Sequence, residues 1–212
     1  MTVSVPWIKD EAVEIDQRHA PATLRNRDAI LEVLRNILPA SGKILEVASG
    51  TGEHIVYFAD KFTHLKFQPS DLNIDYIRSI SIWAQSANLK NIEEPIVLDA
   101  ERFDWNISDV AAILCINMVH ISPWEATIGL FRNAIKLLPV GSPLYIYGPF
   151  IREGFVTAES NLAFEASLKS RNLQWGIRRV DEMDALAEKS GLERDLLIEM
   201  PANNLSLVYR KL

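Results

Sequence analysis

The stretch Glu46-Val47-Ala48-Ser49-Gly50-Thr51-Gly52 holds the residue types best suited to bind a ligand. An apolar run that closes in a tight glycine turn and continues as a helix aims free backbone N–H groups at whatever lies above the strand end. Glycine permits positive φ and lets a ligand approach the backbone closely. A carboxylate beside such amides, here Glu46, suits a ligand that carries both an anionic and a cationic or hydroxylic group. Two further acids, Asp71 and Asp99, follow the next two short apolar runs. A carboxylate at a strand end can accept from both hydroxyls of a vicinal diol, although an Asp there can equally begin a turn or cap a helix. The glycine spacing excludes a dinucleotide fingerprint: counted from Gly50, the third glycine of G-x-G-x-x-G falls on Ile55, whose branched side chain would hold helix and strand apart.

A second group follows the apolar run 110–117, which ends Asn117-Met118-Val119-His120. The unperturbed pKa of histidine lies near neutrality, so His120 is a candidate general base. A histidine that bonds only to loop backbone is the equal alternative. Trp124, Tyr147 and Phe150 could wall an apolar pocket, or Trp124 could simply pack its own helix. Asn161, Arg178, Asn203 and Asn204 are polar residues in segments that otherwise pack or turn, and turn and capping roles suffice for Asn203 and Asn204. Arg25 and Asn26 could form a lid, and His54 could either touch a ligand or face solvent. His19, His54 and His64 share no ligand spacing with one another or with carboxylates, so no metal site is expected.

The elements that must position these groups alternate. Pro21 opens a helix whose apolar residues recur at helical spacing over Thr23–Leu38, ended by Pro39 to Gly42. Strands are predicted at 43–48, 65–68, 96–98, 110–117 and 142–147, with helices at 53–61, 74–87 and 123–138 between them. Further helices are predicted at 159–170 and 181–190. The chain then ends in β-like runs, 194–199 and 205–210, joined by Pro201-Ala202-Asn203-Asn204, which suggests an antiparallel hairpin. This order predicts an α/β fold of three layers, a doubly wound, mainly parallel seven-stranded sheet closed by a C-terminal antiparallel hairpin. One domain over residues 1–212 is expected, with residues 1–20 as an N-terminal extension.

Read from Glu46, the turn is E-x-A-x-G-x-G, which resembles motif I of class I methyltransferases with Ala48 in place of the first glycine. The segments Gln68-Pro69-Ser70-Asp71, Asn117 to Trp124, Tyr147-Gly148-Pro149-Phe150, Ser160-Asn161, Trp175 to Arg178 and Met200 to Asn204 look like those of one methyltransferase-like family. That family, long filed as a domain of unknown function, has the mammalian methyltransferase-like protein twenty-six as a member. The likeness runs from about Ala20 to the C-terminus. It implies a Rossmann-like class I methyltransferase fold and S-adenosylmethionine as cofactor. Its contacts would come from Glu46, Ala48, Ser49, Gly50, Thr51, Gly52, Asp71, Leu72, Asp99, Ala100 and Asn117. Asp71 would take the ribose hydroxyls and Asp99 the adenine amino group. His120 and Asn117 would face the transferred methyl, and Trp124, Tyr147 and Phe150 an acceptor. Asn117 lacks the Pro-Pro-aromatic continuation of many enzymes that methylate planar amines, which points to a small-molecule acceptor.

The bulk numbers agree. The chain has 212 residues, 48% hydrophobic and 24% charged, enough for a sizeable core without disulfides. Its one cysteine, Cys115, lies in an apolar run and is expected to be buried. A net charge of −6 argues against a nucleic-acid partner. No run of eighteen apolar residues and no basic-then-apolar opening appear, so a cytoplasmic protein without membrane partners is expected. The leading expectation is a methyltransferase. A non-catalytic cofactor-binding or adaptor protein of the same fold is the alternative, and a nicotinamide-dependent dehydrogenase is disfavoured by Ile55 and the terminal hairpin.

Overall fold

The computed structural model describes residues 17–212, so most of the expected N-terminal extension lies outside the described residues. Seven strands form a sheet in the order β3-β2-β1-β4-β5-β9-β8, and a separate two-stranded ribbon pairs β6 with β7. The expected mainly parallel sheet with a C-terminal antiparallel hairpin is present. The chain divides into two units, one ending at Leu98 and one beginning at Asp99.

The first unit contains α1 (Pro21–Ile37), β1 (Lys43–Val47), α2 (Glu53–Lys61), β2 (Lys66–Asp71), α3 (Ile74–Ala87) and β3 (Ile96–Val97). Pro21 sits in the first turn of α1, where its missing N–H costs no helical bond. The helix turns Ile30, Leu31, Leu34 and Ile37 inward. β1, β2 and β3 run parallel, with Glu46 opposite Pro69 and Asp71 opposite Val97. β2 continues three residues beyond the predicted end at Gln68, through Pro69 to Asp71. Proline fits extended backbone and removes only one ladder donor. α3 is capped at Asn73, whose side chain accepts from Asp75 N at 2.9 Å, and it stops at Asn88 in left-handed conformation.

The second unit contains β4 (Val110–Ile116), α4 (Trp124–Leu137), β5 (Pro143–Gly148), β6 (Phe150–Ile151), α5 (Glu159–Arg171), β7 (Arg178–Arg179), α6 (Val180–Ser190), β8 (Leu192–Met200) and β9 (Asn204–Lys211). β4 is parallel to β5, and β9 runs antiparallel to both β5 and β8. The run Val110–Ile116 is almost wholly buried, as a strand covered on both faces must be, and Cys115 lies in it fully buried. The ribbon of β6 and β7, and 3₁₀ turns at Met118–His120 and Pro201–Asn203, were not expected: segments of two or three residues carry no readable periodicity.

The segment after Asp99 docks onto α4 through a contact that only glycine allows. A Cβ on Gly129 would stand 1.9 Å from the carbonyl oxygen of Ala100. Asn133, one turn further, donates to Arg102 O at 2.8 Å and accepts from Trp105 N at 3.2 Å. Trp105 in turn donates its indole N–H to Asp99 O at 3.1 Å. Gly129→Ala therefore reverses the usual sign of a helical glycine-to-alanine change. In place of a gain of ~1 kcal/mol, it is expected to cost about 2 kcal/mol or more in denaturant unfolding, in the range of overpacked cores. An unchanged midpoint would show that the 99–105 segment is not held against α4.

Candidate functional site

In the first unit the predicted turn is built from alternate left-handed residues. Ala48, Gly50 and Gly52 have φ of 58°, 57° and 94°. Gly52 has a second constraint: a Cβ there would lie 2.8 Å from Ile80 Cα, so α3 passes directly against the turn. Ala48 shows why motifs of this kind favour glycine at its position, since an L-residue in that region costs roughly 1–2 kcal/mol.

The two acids lie beneath this turn. Asp71 accepts from Gly50 N at 3.0 Å with one oxygen and from Asn73 N at 2.9 Å with the other. Its carboxylate thus ties the end of β2 to the turn after β1. Ser49 completes the tie, its N–H donating to Ser70 O at 2.7 Å. Burial raises the pKa of Asp71 and these backbone N–H groups oppose the rise. Glu46 is 1% exposed, and its Oε2 has no hydrogen-bond partner among the described residues. Burial pushes its carboxyl up to about 8, against a bond from Ser49 and with added repulsion from Asp71. Two carboxyls converge here, and neither has an ion-pair partner among the described residues. Leu72 beside them is exposed.

Glu53 was not singled out in the sequence, yet it is buried and holds the turn from its far side. Its Oε2 accepts from Thr51 Oγ1 at 2.9 Å and from Ala20 N at 2.6 Å, and its Oε1 lies 3.3 Å from His19 Nδ1. An acid at the first residue of a helix was the available signal. Asn26 is not a free lid residue: its Oδ1 lies 2.8 Å from His54 Nε2, and it is buried. That bond and the stacking of His54 on Phe58 hold its ring half-buried. Burial and Arg27 lower its pKa to about 3.

In the second unit Asp99 lies two residues past β3; its Oδ1 accepts from Glu101 N at 2.9 Å, and Ala100 is held against Gly129. Asn117 has φ 63° and donates its N–H to Tyr147 O at 2.8 Å, which anchors the start of the 3₁₀ turn bearing His120. His120 is 1% exposed and neither ring nitrogen has a hydrogen-bond partner among the described residues. Its ring lies edge-on to Phe150 at 4.9 Å between centroids. A Cβ on Gly148 would meet His120 Nε2 at 2.1 Å and Asn117 Oδ1 at 3.4 Å, so glycine makes room for both groups. Burial, then the Arg178 charge, push the imidazole down to about 3, so the ring is neutral at physiological pH.

Arg178 holds this turn from outside. Its Nε donates to Val119 O at 2.8 Å and one terminal nitrogen to Ser122 O at 2.7 Å, while its guanidinium lies over Trp124 at 5.4 Å. Gly176 N adds a bond to His120 O at 3.1 Å. Of the three aromatic residues expected around an acceptor, Phe150 lines a cavity of about 180 Å³. Tyr147 is buried in β5, and Trp124 opens α4 beneath Arg178. Asn161 donates to Asn203 O at 3.0 Å, and Asn204 donates to Pro201 O at 3.1 Å within its own turn.

A family model described as "Protein of unknown function (DUF938)" matches residues 17–211. Among solved structures, the chain is similar to the mitomycin 7-O-methyltransferase MmcR, with TM-score 0.77 and 17% identity over 91% of this chain and 55% of that one. It is similar to CalO1, a methyltransferase in calicheamicin biosynthesis solved in an SAH-bound form, with TM-score 0.71 and 14% identity over 90% of this chain and 55% of that one. It is also similar to an O-methyltransferase family 2 protein from Planctomyces limnophilus in complex with apigenin, with TM-score 0.71 and 15% identity over 88% of this chain and 62% of that one. The chain thus spans 55–62% of the length of these proteins. At such identities the likeness shows the fold, which is that of the methyltransferases.

Glu46 links the turn to stability. Its folded-state pKa of about 8 exceeds the ordinary 4.5, so its contribution is intact below pH 4.5 and is lost as pH rises through 8. Glu46→Gln is expected to match the wild type in thermal unfolding near pH 4 and to exceed it at pH 9, by on the order of 4–5 kcal/mol at most. Parallel curves at both pH values would show that the carboxyl is not buried. For Arg178, histidine proton NMR should place the His120 midpoint far below the ordinary value in the wild type. In Arg178→Gln it should rise while burial, the larger cause, keeps it below the ordinary value, and Arg178→Lys, which keeps the charge but not the planar fork, should recover part of the depression. An unmoved midpoint would show that the Arg178 charge does not act on the imidazole and that Arg178 only holds its turn.

Proposed function

The chain belongs to the family described as protein of unknown function DUF938, and from that premise we propose that it is an S-adenosylmethionine-dependent methyltransferase acting on a small-molecule acceptor. The observation that carries the proposal is the pair of buried carboxyls, Glu46 and Asp71, under a turn of three left-handed residues. An unpartnered Glu46 oxygen in a buried site favours a ligand that brings positive charge or N–H donors. Free amides at the start of α2 favour a carboxylate on the same ligand. S-adenosylmethionine carries an ammonium, a sulfonium and a carboxylate, and these residues fit it. The segments that resemble the family of the mammalian methyltransferase-like protein twenty-six support the same assignment.

Glu46, Thr51 N and the first amides of α2 would hold the amino-acid end of the cofactor, since Ser49, Gly50 and Gly52 already donate their N–H groups to Ser70 O, Asp71 and Ser49 O. Asp71, with Ala48 and Leu72, would hold its ribose, through lone pairs not used by Gly50 and Asn73. Asp99, Ala100 and Asn117 are assigned to the remainder. When bound, S-adenosylmethionine supplies an electrophilic methyl group. The protein's remaining work is to align the acceptor and take its proton. A neutral imidazole can accept that proton at Nε2, beside the Asn117 carboxamide. Burial makes His120 a weak base, so it suits an acidic acceptor such as a phenol or an enol. O-methyltransferases among the proteins of the same fold support an oxygen acceptor.

Calorimetric titration with S-adenosylmethionine tests the cofactor, and release of S-adenosylhomocysteine from panels of small hydroxylated acceptors tests turnover. Losing hydrogen bonds to a charged group costs about 1.5–3 kcal/mol each, so Asp71→Ala is expected to weaken binding roughly tenfold or more. His120→Ala is expected to keep that affinity and to lose roughly a hundredfold in turnover. Absence of S-adenosylmethionine binding by the wild type would overturn the proposal; binding without turnover on any panel would convert it to a cofactor-binding protein.

A further inference from the structure

The cavity beside β6 has no counterpart in the contacts assigned above apart from Phe150. It lies wholly within the second unit, about 180 Å³ in volume, between the 150–158 segment, the start of α5 and the turn joining β8 to β9. Ligand sites for drug-sized molecules run to about 300–1,000 Å³, so this one admits a molecule of single-ring size. Its walls include Phe150, Phe155, Met200 and Leu205. Phe155 and Val156 at its rim are 60% and 99% exposed, an unusual display of apolar surface for neighbouring residues.

The charged groups at this cavity differ in how firmly they are held. Arg152 lies with its guanidinium 3.7 Å over the Phe155 ring and donates to Glu199 Oε1 at 2.7 Å. The arginine side chain is 23% exposed and the glutamate 71%. An ion pair with so exposed a member contributes little, and the glutamate can swing into solvent while stacking holds the arginine in place. Glu199 thereby marks where a carboxylate meets Arg152. The far wall is also fixed in advance. Asn161, 8% exposed, donates to Asn203 O at 3.0 Å, and Asn203 Nδ2 donates to Ser160 Oγ at 3.2 Å. Between them Ala202 and Asn203 both adopt φ of 58°, a conformation that L-residues disfavour and that persists where the surroundings impose it.

We propose that this cavity binds a small flat organic acid, with Arg152 as the anchor of its carboxylate and the apolar walls around its ring. Planar, fixed guanidinium groups favour carboxylates, which they can pair through two parallel bonds. The Phe150 ring forms one wall and meets the His120 ring edge-on at 4.9 Å between centroids, which places the cavity one ring away from the candidate base. As the site of the methyl acceptor it rests on the methyltransferase reading; as an acid-binding site it does not.

Benzoate, benzamide and benzylammonium, titrated separately into the full chain and followed by backbone-amide NMR, test the proposal. Benzoate is expected to give saturable shifts at 152–158 and 200–204, with benzamide at least tenfold weaker. Arg152→Gln should weaken benzoate at least tenfold, and Glu199→Gln, which removes the competing carboxylate, should tighten it. Equal binding of benzoate by Arg152→Gln, benzoate shifts elsewhere, or a preference for benzylammonium would overturn the proposal. S-adenosylmethionine titrated into the same samples separates the two claims. Its binding without a benzoate response removes the acid site and leaves the methyltransferase; a benzoate response without its binding leaves the acid site and removes its role as acceptor.

Discussion

The carboxylate of Asp71 is shared between the amides of Gly50 and Asn73, and the first unit is arranged around that sharing. One oxygen fixes the turn that follows β1, the other the entry to α3. The turn is tight because Ala48, Gly50 and Gly52 all take left-handed backbone. The cost is electrostatic: Glu46 is held nearby, buried and largely protonated at neutral pH. Two acids are desolvated together here, and in the proposed function a cationic ligand would offset that cost, so the groups that lower stability at alkaline pH would also supply its affinity.

The second unit shows the complementary arrangement, in which a reactive group is kept neutral and held by the backbone around it. His120 makes no hydrogen bond through its ring. Its position comes from its turn: Asn117 anchored to Tyr147, and the carbonyls of Val119, His120 and Ser122 bonded to Arg178 and Gly176. The short ribbon of β6 and β7 brings Arg178 to that turn. Gly148 leaves the space the ring occupies. A neutral imidazole fixed through its main chain keeps its one unprotonated nitrogen clear of hydrogen bonds from the described residues, as the proposed base role requires.

Much of this was legible in the residues. Regular alternation of apolar runs located every long strand and helix to within a few positions, because one buried face repeats with the period of its element. The glycine turn, its acids and the mismatch at Ile55 were legible because they follow one another along a single strand-turn-helix unit. Pro69 lies within β2, since one missing donor does not end a strand.

The sequence by itself determined the fold class, the order of elements and the turn with its acids, all consequences of local spacing and of backbone conformations that few residues accept. Tertiary structure alone decided which polar groups meet across long separations. Glu53 reaches Ala20, Arg178 reaches Val119, Asn133 reaches Trp105, and Arg152 stands against Glu199 at the mouth of a cavity. Their partners lie between 28 and 59 residues away, beyond the range of any periodic signal. The pKa values of Glu46 and His120 belong to the same class, because burial is a property of the packed chain and not of the residue.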